Sequence, residues 1–502
     1  MNCLTAHEMI DLTFDPDSWA SWDSSVCQSV AHGAYADELA AARERTGLDE
    51  SVMTGSATVR GRRVAVLICE FGFLAGSIGV AAGGRLVDAI ERATREALPL
   101  VALPVSGGTR MQEGTTAFLQ MVRITGAVTA HKEAHLPYLV YLRNPTMGGV
   151  FASWGSLGHV TIAEPGALIG FLGPRVYETL YGIAFPPGVQ TAENLEAHGL
   201  VDAIRSPEKL AETLDVFLRV LTSRPTLGER GLALSNVSGP ATPSWETVLA
   251  SRRSGRPGVR ELLAHAASDV LLLNGAGQSQ HSPALLLALV RFGDISCVLL
   301  GQDRHAQTGH QSFGPASLRQ ARRGINLARE LDLPLVTVID TPGADLSKEA
   351  EEGGLSTLIA KCLAELLALR TPTVSLLLGQ GAGGGALALL PADRILAAQH
   401  GWLSPLPPEG ASAIIYRDIV HAPEMVSAQN IRSTDLLADG IVHAVIPEHP
   451  DAADEPDQFC ERVGRTLRAA LVSALRETSE QRLSGRLTHF SHIAESPVAV
   501  TM

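Results

Sequence analysis

Gly108 and Gly149 lie 41 residues apart, and so do Gly343 and Gly384, in a chain of 502 residues. The first glycine of each pair closes a short segment after an apolar run, Ser106-Gly107-Gly108 in one half and Thr341-Pro342-Gly343 in the other. The second belongs to the pair Gly148-Gly149 or to the run Gly383-Gly384-Gly385, and each of these follows an apolar run and opens a helical pattern. A backbone N–H after one strand and another at the start of the next helix can converge on one oxygen, and a helix start adds partial positive charge. Glycine suits such turns because the backbone must approach a ligand with no Cβ in the way. Two convergent donors make an oxyanion hole, where losing one typically costs about 2.7–4 kcal/mol of transition-state stabilisation. A single pair is better read as a strand turning into a helix. The recurrence of both turns at equal spacing points to chemistry.

The elements that must position these turns are themselves duplicated. Gly79 answers Gly314, Pro99 answers Pro334, Gly108 answers Gly343 and Gly166 answers Gly401, each 235 residues on. In the first half, strand patterns at Val64 to Cys69, Leu100 to Pro104 and Leu139 to Leu142 alternate with helical patterns at Gly84 to Ala97 and Thr116 to Ala134. In the second half, strands at Cys297 to Leu300, Leu335 to Ile339 and Val374 to Leu378 alternate with helices at Ser317 to Glu330 and Leu355 to Leu369. That order predicts an α/β fold of parallel strands with helical crossovers, built twice. An additional helix, Ala34 to Arg45, is stopped by Gly47. The segment 222–245 is rich in Gly, Pro, Ser and Thr and reads as a linker. The expected division is therefore 1–222, a linker at 223–245, and 246–502. After residue 455 the helical spacing of Phe459, Val463, Leu467, Leu471 and Leu475 predicts a helix packed on the body or on a partner chain.

Composition narrows the function classes. Hydrophobic residues make up 45% and charged residues 19%, as in a well-packed globular protein. The net charge of −13 and the scattered basic residues argue against a nucleic-acid binder. Six dispersed cysteines without a C-x-x-C pair, and no secretory or membrane-length apolar segment, make cytoplasm the expected location.

Other motifs fail on inspection. Gly381-Ala-Gly383-Gly-Gly-Ala386 matches G-x-G-x-x-A, but the acidic residue expected about 20 positions later is missing. Asp340-Thr-Pro-Gly343 could pass for a GTPase D-x-x-G, yet no lysine stands in a P-loop context. His131-Lys-Glu-Ala-His135 has the order H-x-E-x-H rather than H-E-x-x-H, and is read as a half-exposed helix end. Gly76-Ser77-Ile-Gly79 lacks the first glycine of a nucleophile elbow. Backbone-mediated chemistry is the reading these residues support.

Longer segments carry a family resemblance. Ser106-Gly-Gly-Thr-Arg-Met-Gln-Glu-Gly114, Asn144-Pro-Thr-Met-Gly-Gly-Val150, Ile162-Ala-Glu-Pro-Gly-Ala-Leu-Ile-Gly170 and Gly173-Pro-Arg175 resemble the beta subunit of bacterial acetyl-CoA carboxylase carboxyltransferase. Ser312-Phe-Gly314, Val338-Ile-Asp-Thr-Pro-Gly-Ala344, Gly383-Gly-Gly-Ala-Leu-Ala388, Pro408-Glu-Gly410 and Tyr416-Arg-Asp418 resemble its alpha subunit. The resemblance implies tandem ClpP/crotonase-like domains, the first binding acyl-CoA and the second binding carboxybiotin. It implies an acyl-CoA carboxyltransferase, most plausibly converting acetyl-CoA to malonyl-CoA for fatty acid biosynthesis. A malonyl-thioester decarboxylase of the same fold and a catalytically retired scaffold stand as alternatives.

By the same resemblance Gly108, Gly148 and Gly149 receive the thioester enolate, and Gly343, Gly384 and Gly385 the biotin oxygen. Aligning Gly-Ala-Leu-Ala with Gly-Val-Phe-Ala to reach that second assignment takes an offset of 236 rather than 235. Gly107, Arg110, Met147, Gly173, Pro174, Arg175, Ala344, Glu409 and Gly410 are the expected substrate-binding residues. Biotin should be carried on a separate biotin carboxyl carrier protein and charged by a separate biotin carboxylase, since no Met-Lys-Met and no ATP loop are present. The four-cysteine zinc ribbon of the beta subunit is missing, so no zinc is expected. Asp345 replaces a usual tyrosine, and Leu406-Pro407 are inserted before Pro408. A homodimer or larger assembly is expected.

Overall fold

The computed structural model describes residues 4–25, 33–222, 244–275, 277, 281–307 and 312–495, with side chains to residue 491. The chain forms two compact units, Met1–Leu221 and Thr222–Met502. Of the expected linker, 223–243 lies outside the described residues, whereas Ser244 and Trp245 already begin the helix Ser244–Ser251.

The sheet of the first unit runs in the order Ala20–Ser21, Val52–Val59, Arg62–Cys69, Leu100–Leu103, Tyr138–Leu142, Val160–Ala163, Ala203–Ile204. Pairing is antiparallel as far as Arg62–Cys69 and parallel beyond it. The parallel strands Leu100–Leu103, Tyr138–Leu142 and Val160–Ala163 are largely apolar runs buried along their whole length, as strands covered on both faces are. The hairpin Val52–Cys69 turns on Arg60 and Gly61, both with positive φ (47° and 78°), the twist that a two-residue loop needs. Asp15 accepts from both turn amides at 2.8 and 2.7 Å.

The second unit repeats this plan: Asp269–Leu273, Leu285–Phe292, Ile295–Gln302, Leu335–Thr341, Thr373–Ala382, Arg394–Ala398, Ala444–Ile446. It too is antiparallel through Ile295–Gln302 and parallel thereafter. The glycine segments are also framed alike. Thr146–Met147 pairs with Ile169–Gly170, and Gln380–Ala382 pairs with Trp402–Ser404.

Two matching crossover helices, Val80–Arg95 and Pro315–Glu330, bury Ala82, Leu86, Ile90 and Ala93, and Leu318, Ala321, Ile325 and Ala328 respectively. These are helical stripes set against the sheet. The first starts four residues before the expected Gly84. The pattern at Thr116 to Ala134 is two helices, Gly114–Phe118 and Gln120–Glu133, interrupted at Leu119. Helix Pro456–Leu475 packs Phe459, Val463, Leu467 and Leu471 into the core of its own unit. It is followed by an unanticipated helix, Ser479–Glu495. Among the described residues no helix is long and apolar enough to cross a membrane.

Candidate active site

In the first unit the chain leaves strand Leu100–Leu103 and enters Ser106-Gly107-Gly108. Ser106 is held to the other glycine segment by two backbone bonds, Ser106 N–H to the Pro145 carbonyl (2.7 Å) and Met147 N–H to the Ser106 carbonyl (2.9 Å). Gly108 adopts φ +114° and Gly148 φ +64°, the left-handed region that favours glycine. A Cβ on Gly108 would stand 3.5 Å from the Met147 carbonyl oxygen and 3.7 Å from the Gly149 nitrogen. The structure thus brings Gly108, Met147, Gly148 and Gly149 into direct contact. The Phe171 carbonyl abuts Gly148, and two residues further on Gly173 and Pro174 open the helix Pro174–Tyr181, which carries the exposed Arg175.

The second unit builds the same arrangement. Gly343 has φ +143° and Gly383 φ +60°. A Cβ on Gly385 would lie 3.2 Å from the Ala344 nitrogen and 3.4 Å from the Gly343 carbonyl carbon. Gly383 approaches the carbonyl of Pro405, so the Leu406-Pro407 insertion borders this turn.

Several expectations are corrected. With Met147 and Ala382 as N-caps, Gly148-Gly149 correspond to Gly383-Gly384, not to Gly384-Gly385. Gly385 takes the place of the buried Val150, is itself buried, and its carbonyl accepts from Gln302 Nε2 at 2.8 Å. The Gly108 N–H donates to Ser106 Oγ (3.0 Å) and the Gly343 N–H to Thr341 Oγ1 (3.2 Å), so both amides are engaged locally. What these two glycines supply is a backbone with positive φ, at +114° and +143°. The first-turn N–H groups of Gly148, Gly149, Gly383 and Gly384 have no intrahelical acceptor. Those helices, Gly148–Phe151 and Gly383–Leu387, span four and five residues, too short for a large dipole.

Arg110 is not poised for substrate. Its guanidinium is buried, doubly paired with Glu50 (2.9 and 2.5 Å), and donates also to Ser51 Oγ and the Ser77 carbonyl. Burial works against its charge, but Glu50 prevails and raises its pKa. Glu113 accepts from the Val80 N–H and from Tyr35 Oη, both at 2.5 Å, and so caps the helix Val80–Arg95. Burial, then the Glu113 carboxylate, push the Tyr35 phenol up to about 12. These groups line a cavity of about 390 Å³. Glu409 is likewise committed, to a two-bond pair with Arg252 (2.6 and 3.1 Å) that holds its carboxyl below the usual range. A Cβ on Gly410 would meet nothing nearer than Leu406 at 3.6 Å, so nothing there demands a glycine.

His131 is fully buried rather than half-exposed. It meets Thr94 Oγ1 and the Pro137 carbonyl, and burial lowers its pKa to about 4. His400, Glu448 and Asp451 are grouped closely enough for a metal ion. There the buried Arg256 guanidinium pairs with both Glu448 oxygens at 2.7 Å and supplies the positive charge. Against the cost of burial, Arg256 and then His400 hold the Glu448 carboxyl far below its usual range.

Sequence reasoning missed Ser106, Thr341, Gln302 and Glu50. Ser106 and Thr341 carried a usable signal: hydroxyl residues at matching positions of the repeat, each two residues before a glycine.

Fold and site together define a class: tandem crotonase-like domains, each bringing two glycine turns together. The chain belongs to the carboxyl transferase family, whose domain matches residues 1–486. It is 58% identical, over 98% of its length and 99% of the relative's, to the probable biotin-dependent acyl-coenzyme A carboxylase beta3 subunit of Mycobacterium tuberculosis (strain ATCC 25618 / H37Rv). It is 37% identical to the acetyl-coenzyme A carboxylase carboxyl transferase subunits beta/alpha of Salinispora arenicola (strain CNS-205), covering 93% of this chain and 85% of that one. Among solved structures, transcarboxylase 12S aligns with a TM-score of 0.74 at 21% identity, over 93% of this chain and 90% of that chain, and so shares the fold.

Proposed function

We propose that this chain transfers a carboxyl group from carboxybiotin, borne on a separate carrier protein, to an acyl-CoA, with acetyl-CoA as the first acceptor to test. The observation that carries the reading is the glycine-turn pair built twice, with positive φ at Gly108 and Gly148 and again at Gly343 and Gly383. Negative charge develops on two oxygens in such a transfer, one on the thioester and one on the carboxyl donor, and a backbone hole for each lowers the barrier. Carboxybiotin supplies the carboxyl group. In the first unit the N–H groups of Gly148 and Gly149 face the thioester oxygen across the bare Gly108. In the second, those of Gly383 and Gly384 do the same for the donor oxygen across Gly343 and Ala344. The name of the 58% identical relative supports biotin dependence and an acyl-CoA substrate.

Biotin carboxyl carrier protein and biotin carboxylase are the corresponding partners, and the cytoplasm the corresponding location. Self-association belongs to the same reading. Exposed apolar side chains recur at matching positions around both sites, Met111 with Leu346, Phe171 with Leu406, Leu180 with Ile415 and Tyr181 with Tyr416.

The test is decarboxylation of malonyl-CoA by the purified chain with and without free biocytin, followed by a series of longer 2-carboxyacyl-CoA substrates. Biocytin-dependent turnover is the expected result. Turnover that ignores biocytin would favour a thioester decarboxylase, and none with any substrate would leave a scaffold.

A further inference from the structure

Gln302 is the last residue of strand Ile295–Gln302, and its side chain is fully buried. That side chain reaches both glycine segments of the second unit. Oε1 accepts from the Asp340 N–H at 3.0 Å, and Nε2 donates to the Gly385 carbonyl at 2.8 Å. The amide orientation follows from its partners, because a backbone N–H can only donate and a carbonyl can only accept. The Gly385 carbonyl needs this bond. In the short helix Gly383–Leu387 the Ala388 N–H goes to Gly384 and the Leu389 N–H to Ala386, so the ladder passes Gly385 by.

The first unit shows what the same position does with a shorter side chain. Ile68 pairs with Leu103 as Gly301 pairs with Val338, which places Cys69 where Gln302 stands. Burial raises the pKa of the Cys69 thiol and the Val105 N–H beside it lowers it, and Val105 is the counterpart of Asp340. A thiol can grip one segment only, whereas the longer amide grips two.

We propose that Gln302 is a positioning residue that fixes the spacing between the Thr341–Ala344 turn and the Gly383–Gly385 turn, and with it the backbone donors of the second unit. The catalytic part of this role rests on the reading that the second unit takes the biotin. The neighbouring groups support it. Gln307 ties the Asp340 carbonyl (2.9 Å) to Thr341 Oγ1 (2.6 Å), and the buried Asp340 carboxylate accepts from the Gln380 N–H (3.0 Å) and from Arg304 (3.1 Å). The Gly343 turn is therefore anchored by several side chains, and Gln302 adds the side-chain bond from it to Gly385 within the glycine run.

Two variants separate the links. Gln302→Met keeps the volume and removes both bonds, while Gln302→Cys copies the first unit and removes only the link to Gly385. In biocytin-dependent decarboxylation of malonyl-CoA both variants should lose roughly 10- to 100-fold in kcat, with the KM for malonyl-CoA within about twofold of wild type. Amide hydrogen exchange should accelerate in 383–388 for both variants, in 340–346 for Gln302→Met, and in neither case around Gly108 and Gly148. Unchanged kcat in both variants overturns the catalytic role. Unchanged exchange in 383–388 overturns the positioning itself, whatever the kinetics. A wild-type chain without biocytin dependence overturns the biotin reading, and exchange then still decides whether Gln302 joins the two turns.

Discussion

The Gly149 backbone sits where a Cβ would press against Thr109 Oγ1 (3.1 Å) and Met121 Cγ (3.2 Å). Gly149→Val therefore forces the turn out of place, and carboxyl transfer should fall by about 100-fold or more while the fold persists, as activity beside melting temperature will show. Gly384→Val meets only the tip of Ile359, at 2.8 Å, so it should lower biocytin-dependent turnover and leave acyl-CoA binding intact. Arg110 makes a sharper contrast between sequence and structure. The family resemblance suggested a substrate contact for Arg110, yet its partner Glu50 lies 60 residues away in sequence and only folding brings the two together. Arg110→Met strands a buried carboxylate and should cost about 3–5 kcal/mol of stability. The decisive measurements are the denaturation midpoint, which should drop, and the KM for acyl-CoA of the folded fraction, which should stay the same.

Among the elements, the helix Ser479–Glu495 is anchored by a buried ion pair, with a second, exposed pair between Glu480 and Arg370 (3.4 Å). The buried Arg486 binds Asp393 at 2.7 Å and donates to the carbonyls of Leu366 and Leu369, which end the helix Leu355–Ala368. Arg486→Met should expose this helix to limited proteolysis and lower stability by about 3–5 kcal/mol, because Asp393 would remain buried without its partner. A double variant with Asp393→Asn should recover part of the loss. The central parallel strands, such as Leu100–Leu103, Tyr138–Leu142 and Leu335–Thr341, were legible in sequence because strands buried on both faces are unbroken apolar runs, whereas the parallel strands Val160–Ala163 and Ala444–Ile446 were not read. Strand Val52–Val59 was not, since VMTGSATV mixes small and polar residues and its burial comes from neighbours distant in sequence. The early start of helix Val80–Arg95 was likewise hidden, because its cap is the Glu113 side chain from another segment.

At the scale of the whole molecule, the buried His131 and the half-buried His443 set an acid limit. Burial lowers His131 to about 4, and burial with the neighbouring His489 charge does the same to His443. A base depressed in the folded state leaves stability intact above the unfolded value of about 6.5. That stability is lost as pH falls from about 6.5 toward 4, by at most about 3 kcal/mol for His131. Melting temperature should fall steadily over this window, and His131→Gln should make the fall shallower. An equal slope in wild type and variant would remove His131 from the account. Sequence by itself determined the duplication, the α/β alternation and the location of both glycine pairs, since glycine spacing and apolar runs are local properties of the chain. Tertiary structure alone decided the frame, Gly383-Gly384 against Gly148-Gly149, and which charged and polar side chains serve the fold. The partners of those side chains lie tens of residues away, and only the folded unit brings Glu50 to Arg110, Arg252 to Glu409 and Gln302 to Gly385.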